Sequence, residues 1–348
     1  MEIEGQLEIA DRKITVLGAG VIGLWQALTL ARAGARVRLL DRSPDPLIAS
    51  ASSYAGAMLA PDCEAEAAPA VVRDLGRKGL EIWRSLYPGV VWSGSLVVAN
   101  PRDQSELTRF ARMTERHVWL DDARLGELEP DLAGRFPSAL HFADEGHIET
   151  PAALKFLLSE ARRSGVETVF GREGNFRPGD IDDGSTVIDC RGLAAGDELD
   201  SLRGVRGERI ILRCEDIRLS RPVRLLHPRH PLYVVPWSGQ RFMVGATVLE
   251  SEDDGPATVR STLELLGAAY SLSPSFAEAE ILDIGAGVRP AFPDNVPRVV
   301  PARDLSVIHV NGAYRHGFLL APVLAQATLS LFRDPALVHP LVRSADNV

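Results

Sequence analysis

A cluster of glycines at a strand-to-helix junction constrains this chain most. Residues 14–18 (ITVLG) are β-branched and apolar, the composition of a short buried strand. They run into Gly18-Ala19-Gly20-Val21-Ile22-Gly23, and residues 21–33 then carry apolar side chains at helical spacing, with Ile22, Trp25 and Leu28 on related faces. Gly34 is placed to end that helix, and RVRLLD over 36–41 reads as a second strand. Strand, G-x-G-x-x-G, helix and strand open a right-handed βαβ unit. In such a unit Gly18 permits the tight turn, Gly20 lets the backbone approach a pyrophosphate, and Gly23 lets the helix sit close on the strand. The free amides and dipole at the helix N-terminus attract the phosphates. Asp41 ends the second strand, where a carboxylate can accept hydrogen bonds from ribose hydroxyls, and Arg42 follows it. A glycine-rich turn without a cofactor is the plain alternative, and the register of all these parts argues against it. The fingerprint alone does not separate a flavin from a nicotinamide dinucleotide.

The remaining pattern alternates between two periods. Segment 49–61 (ASASSYAGAMLAP) is small and polar, then apolar, and reads as a loop running into a helix. Residues 70–86 carry a helical pattern, and 90–150 hold short strand-like runs (GSLVVAN, ALHFAD) among charged helical stretches. Residues 151–164 form a helix with Pro151 in its first turn, and VETVFG and STVIDC return to strand character. From 208 to 250 the alternation is that of antiparallel strands; a helix follows at 257–270, the strand LSVIHVN ends at Gly312, and 317–332 is the last helix. The expected fold is α/β: a Rossmann-type sheet interleaved with an antiparallel-sheet domain. The expected boundaries give residues 14–85, 145–215 and 280–335 to the cofactor-binding part, and 86–144 and 216–279 to the substrate-binding part.

Composition narrows the function. With 348 residues, 45% hydrophobic and 24% charged, the chain can bury a large core without disulfides. Its 38 basic and 47 acidic residues leave a net charge of −9, which argues against nucleic acid or an anionic membrane as partner. The opening MEIEGQLEIADRK is too acidic for a signal or transit peptide, and no run of 18 apolar residues is present to span a membrane. Three cysteines (Cys63, Cys190, Cys214) form no CxxC pair, so neither a disulfide scaffold nor a metal site is expected, and a reducing cytoplasm is the simple location.

Four further segments carry a resemblance. Ser52-Ser53-Tyr54-Ala55-Gly56-Ala57-Met58-Leu59-Ala60-Pro61, Leu232-Tyr233-Val234-Val235-Pro236 with Val244-Gly245-Ala246-Thr247, Gly285-Ala286-Gly287-Val288-Arg289-Pro290 with Pro293-Asp294, and Tyr314-Arg315-His316-Gly317-Phe318-Leu319-Leu320-Ala321-Pro322 occur in that order. With the fingerprint they resemble the D-amino-acid-oxidase family of flavoproteins, most closely the glycine oxidases of thiamine biosynthesis, over residues 14–332. Departures fall at Asp41, where the family usually has glutamate, and at Ala57, where glycine is usual. Trp237 replaces a common arginine, Ala313 a common histidine, and Asp189-Cys190-Arg191-Gly192 the usual A-T-G.

The resemblance implies non-covalent FAD. Gly18, Ala19, Gly20, Val21, Ile22 and Gly23 would lie along its pyrophosphate, and Asp41 and Arg42 would hold the adenosine ribose. Ser52, Ser53, Gly56, Ala57 and Met58 would follow the ribityl chain and ring edge, and Gly174 would touch the adenine side. The loop Ala313, Tyr314, Arg315, His316, Gly317, Phe318 and Leu319 would place helix-end amides at the pyrimidine edge. For the substrate, Arg289 is the best candidate, because a guanidinium fork holds a carboxylate by two parallel bonds. Tyr233 would add a phenol hydrogen bond, and Arg315 would face the same space. An interdomain ion pair for Arg289 and a core role for Tyr233 are the plain alternatives; His316 and His230 could tune the pocket. The implied reaction is oxidation of a small amino acid, glycine first, to the imino acid, with dioxygen giving hydrogen peroxide and water giving glyoxylate and ammonia. No residue is assigned as acid or base. A D-amino-acid or sarcosine-type oxidase or dehydrogenase, a non-catalytic flavin-binding subunit, and a nicotinamide dehydrogenase are the rivals. A homo-oligomer stays open.

Overall fold

The computed structural model of the chain describes residues 9–171, 176–227, 231–334 and 338–343. The apolar run Lys13–Leu17 is a strand buried from Ile14 onward, in the interior of a six-stranded sheet. The strand order is Arg298–Pro301, Val307–Asn311, Thr186–Asp189, Lys13–Leu17, Arg36–Asp41, Glu167–Phe170. All neighbours are parallel except the first pair. Helix Val21–Arg32 follows the glycine fingerprint and packs between the helices Thr150–Arg163 and Gly317–Arg333. Helix Ala70–Leu86 packs on the last of these, where Trp83 Nε1 donates to the Phe318 carbonyl at 2.6 Å.

A nine-stranded sheet forms the second layer. Its main path is Leu249–Glu250, Arg203–Arg213, Arg241–Gly245, Leu232–Trp237, Val223–Leu226, Ser95–Ala99, Ser138–Phe142 and Val118–Asp121, with Glu280–Ala291 also paired to Arg203–Arg213. The pairing is antiparallel except between Val223–Leu226 and Ser95–Ala99, which run parallel. One face packs on helix Val259–Leu272 through Ile210, Leu212, Val234, Phe242 and Val244. The period of two therefore turns Ile211, Tyr233, Val235 and Met243 to the opposite face, where they pack with Met58.

Two expectations change. Strands Arg203–Arg213 and Glu280–Ala291, which the expected boundaries gave to the cofactor part, pair in the nine-stranded sheet. Their alternation belongs to long antiparallel partners, which local pattern does not assign to a sheet. Segment 49–61 holds a short 3-10 turn at Ala51–Tyr54 and a two-residue strand at Met58–Leu59, paired with Gly146–His147, in place of a helix. Gly174 and His230 lie outside the described residues. No helix among the described residues is long and apolar enough to cross a membrane.

Candidate active site

The glycines of the fingerprint differ in what surrounds them. Gly18 has φ +93°, and a Cβ there would stand 2.5 Å from the Cys190 carbonyl oxygen. A Cβ on Gly23 would overlap the Gly18 carbonyl, so helix and turn touch directly. Gly20 faces open space bounded by the Ser52 hydroxyl at 3.1 Å. Ser52 Oγ accepts from the Val21 amide at 3.0 Å. Asp41 accepts from the Ala19 amide at 2.7 Å and from the Ser43 amide at 2.8 Å, which ties the end of the second strand to the turn. Ala57 holds φ +47°, in the left-handed region that favours glycine.

One cavity of about 670 Å³ runs from this turn to the nine-stranded sheet. Its far end is lined by Tyr54, Glu64, Arg224, Tyr233, Arg289 and Arg315. Strand Glu280–Ala291 presents Arg289, and strand Leu232–Trp237 presents Tyr233. The loop that carries Arg315 is stitched to the Arg289 strand: Ala313 bridges Ala291, and the Tyr314 amide donates to the Pro290 carbonyl at 3.0 Å.

Charge is distributed unevenly here. Arg315 donates to Glu64 at 3.0 Å, and Arg224 stands 3.8 Å from Glu64 and 3.1 Å from Glu66. Burial pushes the Glu64 carboxyl up, but Arg315 and Arg224 outweigh it and bring its pKa down to about 2. Arg289 makes no ion pair among the described residues; its Nη1 donates to the Thr247 carbonyl at 3.2 Å. Desolvation holds its pKa below the ordinary arginine value, opposed by Tyr233 and assisted by Arg315. Desolvation raises the Tyr233 phenol, so it stays protonated and able to donate. His316 is buried, and desolvation lowers its pKa to about 4, so it is neutral near pH 7. Arg289, without an ion pair among the described residues, and the protonated Tyr233 thus offer hydrogen-bond donors to the same cavity.

Asp189 and Arg191 form a second buried cluster. Asp189 accepts from Arg191 Nε at 2.9 Å and Nη2 at 3.0 Å, and lies 2.9 Å from His309 Nδ1. Burial raises the Asp189 carboxyl, but His309 and Arg191 hold it below the usual value. Arg191 also grips Asp197. The departure at 189–192 thus anchors an ion network beside Gly18, with Arg191 also lining the cavity.

Comparison with known proteins agrees with this geometry. The FAD dependent oxidoreductase family matches residues 13–331. The chain belongs to that family. It is 49% identical over 314 residues to a putative thiamine biosynthesis oxidoreductase, ThiO, of Rhizobium etli, covering 90% of this chain and 94% of that one. It is 26% identical over 368 residues to a glycine oxidase of Pseudomonas aeruginosa, covering 94% and 97%. The crystal structure of glycine oxidase from Geobacillus kaustophilus superposes with a TM-score of 0.78 at 22% identity, covering 94% of this chain and 96% of that chain.

The residues fit the FAD that this FAD dependent oxidoreductase family uses. A continuous cavity joins a dinucleotide turn to an unpaired guanidinium, and Gly20 keeps backbone exposed at its mouth. Gly18, Gly20, Val21, Ile22, Asp41, Arg42, Ser52, Gly56, Ala57 and Met58 line it, as do Ala313 to Leu319. Ala19, Gly23 and Ser53 do not: Ala19 is fully buried, Gly23 seats the helix, and the Ser53 hydroxyl donates to the Ile48 and Ser50 carbonyls. Sequence reasoning missed Glu64, Arg224 and Tyr54. Two signals were available: the acidic pair Glu64 and Glu66 just after an apolar loop, and an arginine inside the otherwise apolar strand Val223–Leu226.

Proposed function

We propose that this chain oxidises glycine to its imino acid with dioxygen as acceptor, in thiamine thiazole biosynthesis in the cytoplasm. The observation that carries the proposal is Arg289, a guanidinium without an ion partner facing a cavity beside protonated Tyr233. The similarity to the Rhizobium thiamine biosynthesis oxidoreductase and the Pseudomonas glycine oxidase supports the pathway and the substrate. The buried free thiols of Cys63, Cys190 and Cys214 support a reducing compartment.

FAD, when bound, supplies the two-electron oxidant for the C–N bond. The chain's own residues bind and orient. Arg289 takes the carboxylate through its fork, Tyr233 donates a further hydrogen bond to it, and the two fix where the α-carbon lies. The Tyr54 ring lies against Gly285 and Gly287, where a Cβ would meet it, and narrows the space left for a substrate side chain. Glu64 is held ionised by Arg315 and is no general base at neutral pH. The amine loses two electrons and two protons, dioxygen takes them as hydrogen peroxide, and water converts the imino acid to glyoxylate and ammonia.

The test is a peroxide and glyoxylate assay of the purified protein with glycine, sarcosine, D-alanine and bulky D-amino acids. Glycine is expected to give equimolar peroxide and glyoxylate. Silence with glycine and turnover of bulky D-amino acids would overturn the assignment.

A further inference from the structure

We infer that Glu64 sets how many carboxylates a substrate can carry. It neutralises Arg315 and part of Arg224, leaves Arg289 as the one of these three guanidinium groups without an ion pair among the described residues, and so excludes dicarboxylic amino acids. The inference rests on the carboxylate-binding role of Arg289 proposed above.

The charges around Arg289 in the cavity nearly cancel. Arg289, Arg315 and Arg224 bring three positive charges; Glu64 lines the same wall, and Glu66 backs Arg224 at 3.1 Å. The other titratable groups do not alter the tally. Tyr233 and His316 are neutral near pH 7, and Glu252 and Asp254, which also line the cavity, are exposed and solvated. Arg109 pairs with Glu66 from outside, its side chain half exposed. One positive charge is left over, at Arg289, and a monocarboxylate cancels it. A second carboxylate brings a negative charge into partly desolvated space where two of these three guanidinium groups are already engaged, and that costs free energy.

Removing the Glu64 charge changes the count by one. Arg224 keeps Glu66, but Arg315 loses its only ion partner among the described residues. Arg315 already acts on Arg289, since its positive charge helps to lower the pKa of Arg289. Two open guanidinium groups then share one chamber, the arrangement that grips a dicarboxylate. The loop does not depend on the Glu64 charge for its path. Buried Glu145 accepts from the Asp62 and Cys63 amides at 2.9 and 2.7 Å, and Asp62 pairs with Arg77. A neutral residue at 64 therefore leaves the loop in place.

The experiment measures calorimetric dissociation constants for acetate and malonate with the FAD-loaded protein, checked by perturbation of the flavin spectrum. The proteins are wild type, Glu64→Gln, Glu64→Ala, the double variant Glu64→Gln/Arg315→Gln and Arg289→Ala. In the wild type malonate gains nothing over acetate. Either single variant shifts the ratio toward malonate by about tenfold or more, the scale of one partly desolvated charge pair. The double variant returns the ratio to near the wild-type value. Glu64→Ala guards against a failure of Glu64→Gln to fold. An unchanged ratio in the single variants overturns the inference. If instead wild type and Arg289→Ala bind acetate equally well, the carboxylate-binding role of Arg289 itself fails, and this inference goes with it.

Discussion

Gly207 supplies the space in which the Arg289 guanidinium lies. The two residues sit on adjacent antiparallel strands, Val205 opposite Arg289 and Gly207 opposite Gly287, and a Cβ on Gly207 would overlap the Nη and Cζ atoms of Arg289. The absence of a side chain at one position thus sets the pose of a charged side chain at the other. Gly207 has no positive φ, so the need is for room and not for backbone freedom.

Gly207→Ala is therefore expected to fold and to keep its FAD, because the displaced atoms are the tip of a flexible side chain. Its kcat/KM for glycine should fall by roughly tenfold to a hundredfold, the scale of a misplaced clamp. Steady-state kinetics beside flavin spectra check this. Wild-type kinetics would show that the Arg289 pose is not required.

Arg289→Ala should lower kcat/KM for glycine by roughly 30-fold to several thousand-fold, from a loss of roughly 2–5 kcal/mol for one partner of a desolvated charge pair. Arg289→Lys should fall between wild type and alanine, since lysine keeps the charge and loses the fork. Ethylamine has no carboxylate, so its slow oxidation should hardly change. Loss of flavin in the same variants would make Arg289 a structural residue.

The fingerprint glycines should separate into two classes. A Cβ on Gly20 meets only the Ser52 hydroxyl and the Ser50 Cβ, so Gly20→Val should fold and yet fail to retain FAD. Gly23→Val meets the backbone carbonyl of Gly18 and should not fold. Circular dichroism and bound-flavin absorbance on each variant separate these outcomes; full flavin occupancy in Gly20→Val would contradict the placement.

Stability should fall as pH rises through the range set by Glu145. This carboxyl is buried, and desolvation raises its pKa from 4.5 to about 8. Between those values it is protonated in the folded chain and ionised in the unfolded one. The folded state then binds the extra proton, and each step up in pH favours unfolding. The stabilisation is complete below about pH 4.5 and lost as pH climbs through about 8. Glu145→Gln mimics the protonated acid, with an amide toward Ser95 and a carbonyl toward the Asp62 and Cys63 amides. Urea midpoints at pH 5.5 and pH 8 should differ more for wild type than for the variant; equal differences would contradict a neutral Glu145.

Much of this was legible in the residues, and the physics explains where it stopped. The fingerprint dictates its own geometry locally, so Gly18, Gly20, Gly23 and Asp41 could be placed from the chain alone. Helices such as Gly317–Arg333 carry their own apolar period. Glu64 was not legible, because its meaning depends on Arg315, some 250 residues away, and on Arg224 from another strand. Gly207 was invisible for a related reason: an arginine tip reaching back across a sheet leaves no trace in the strand it crosses. Strand Glu280–Ala291 could be read as a strand, but its sheet was set by eleven paired positions on Arg203–Arg213, which no local pattern encodes.

The most direct measurement of the central claim is an anaerobic titration of the FAD-loaded protein with glycine, followed by admission of oxygen. Glycine should bleach the oxidised flavin band with one glyoxylate and one ammonia per flavin, and oxygen should restore the band with one peroxide. Arg289→Ala, with the same flavin content, should bleach far more slowly. A flavin band that stays fully oxidised under anaerobic glycine would contradict that claim.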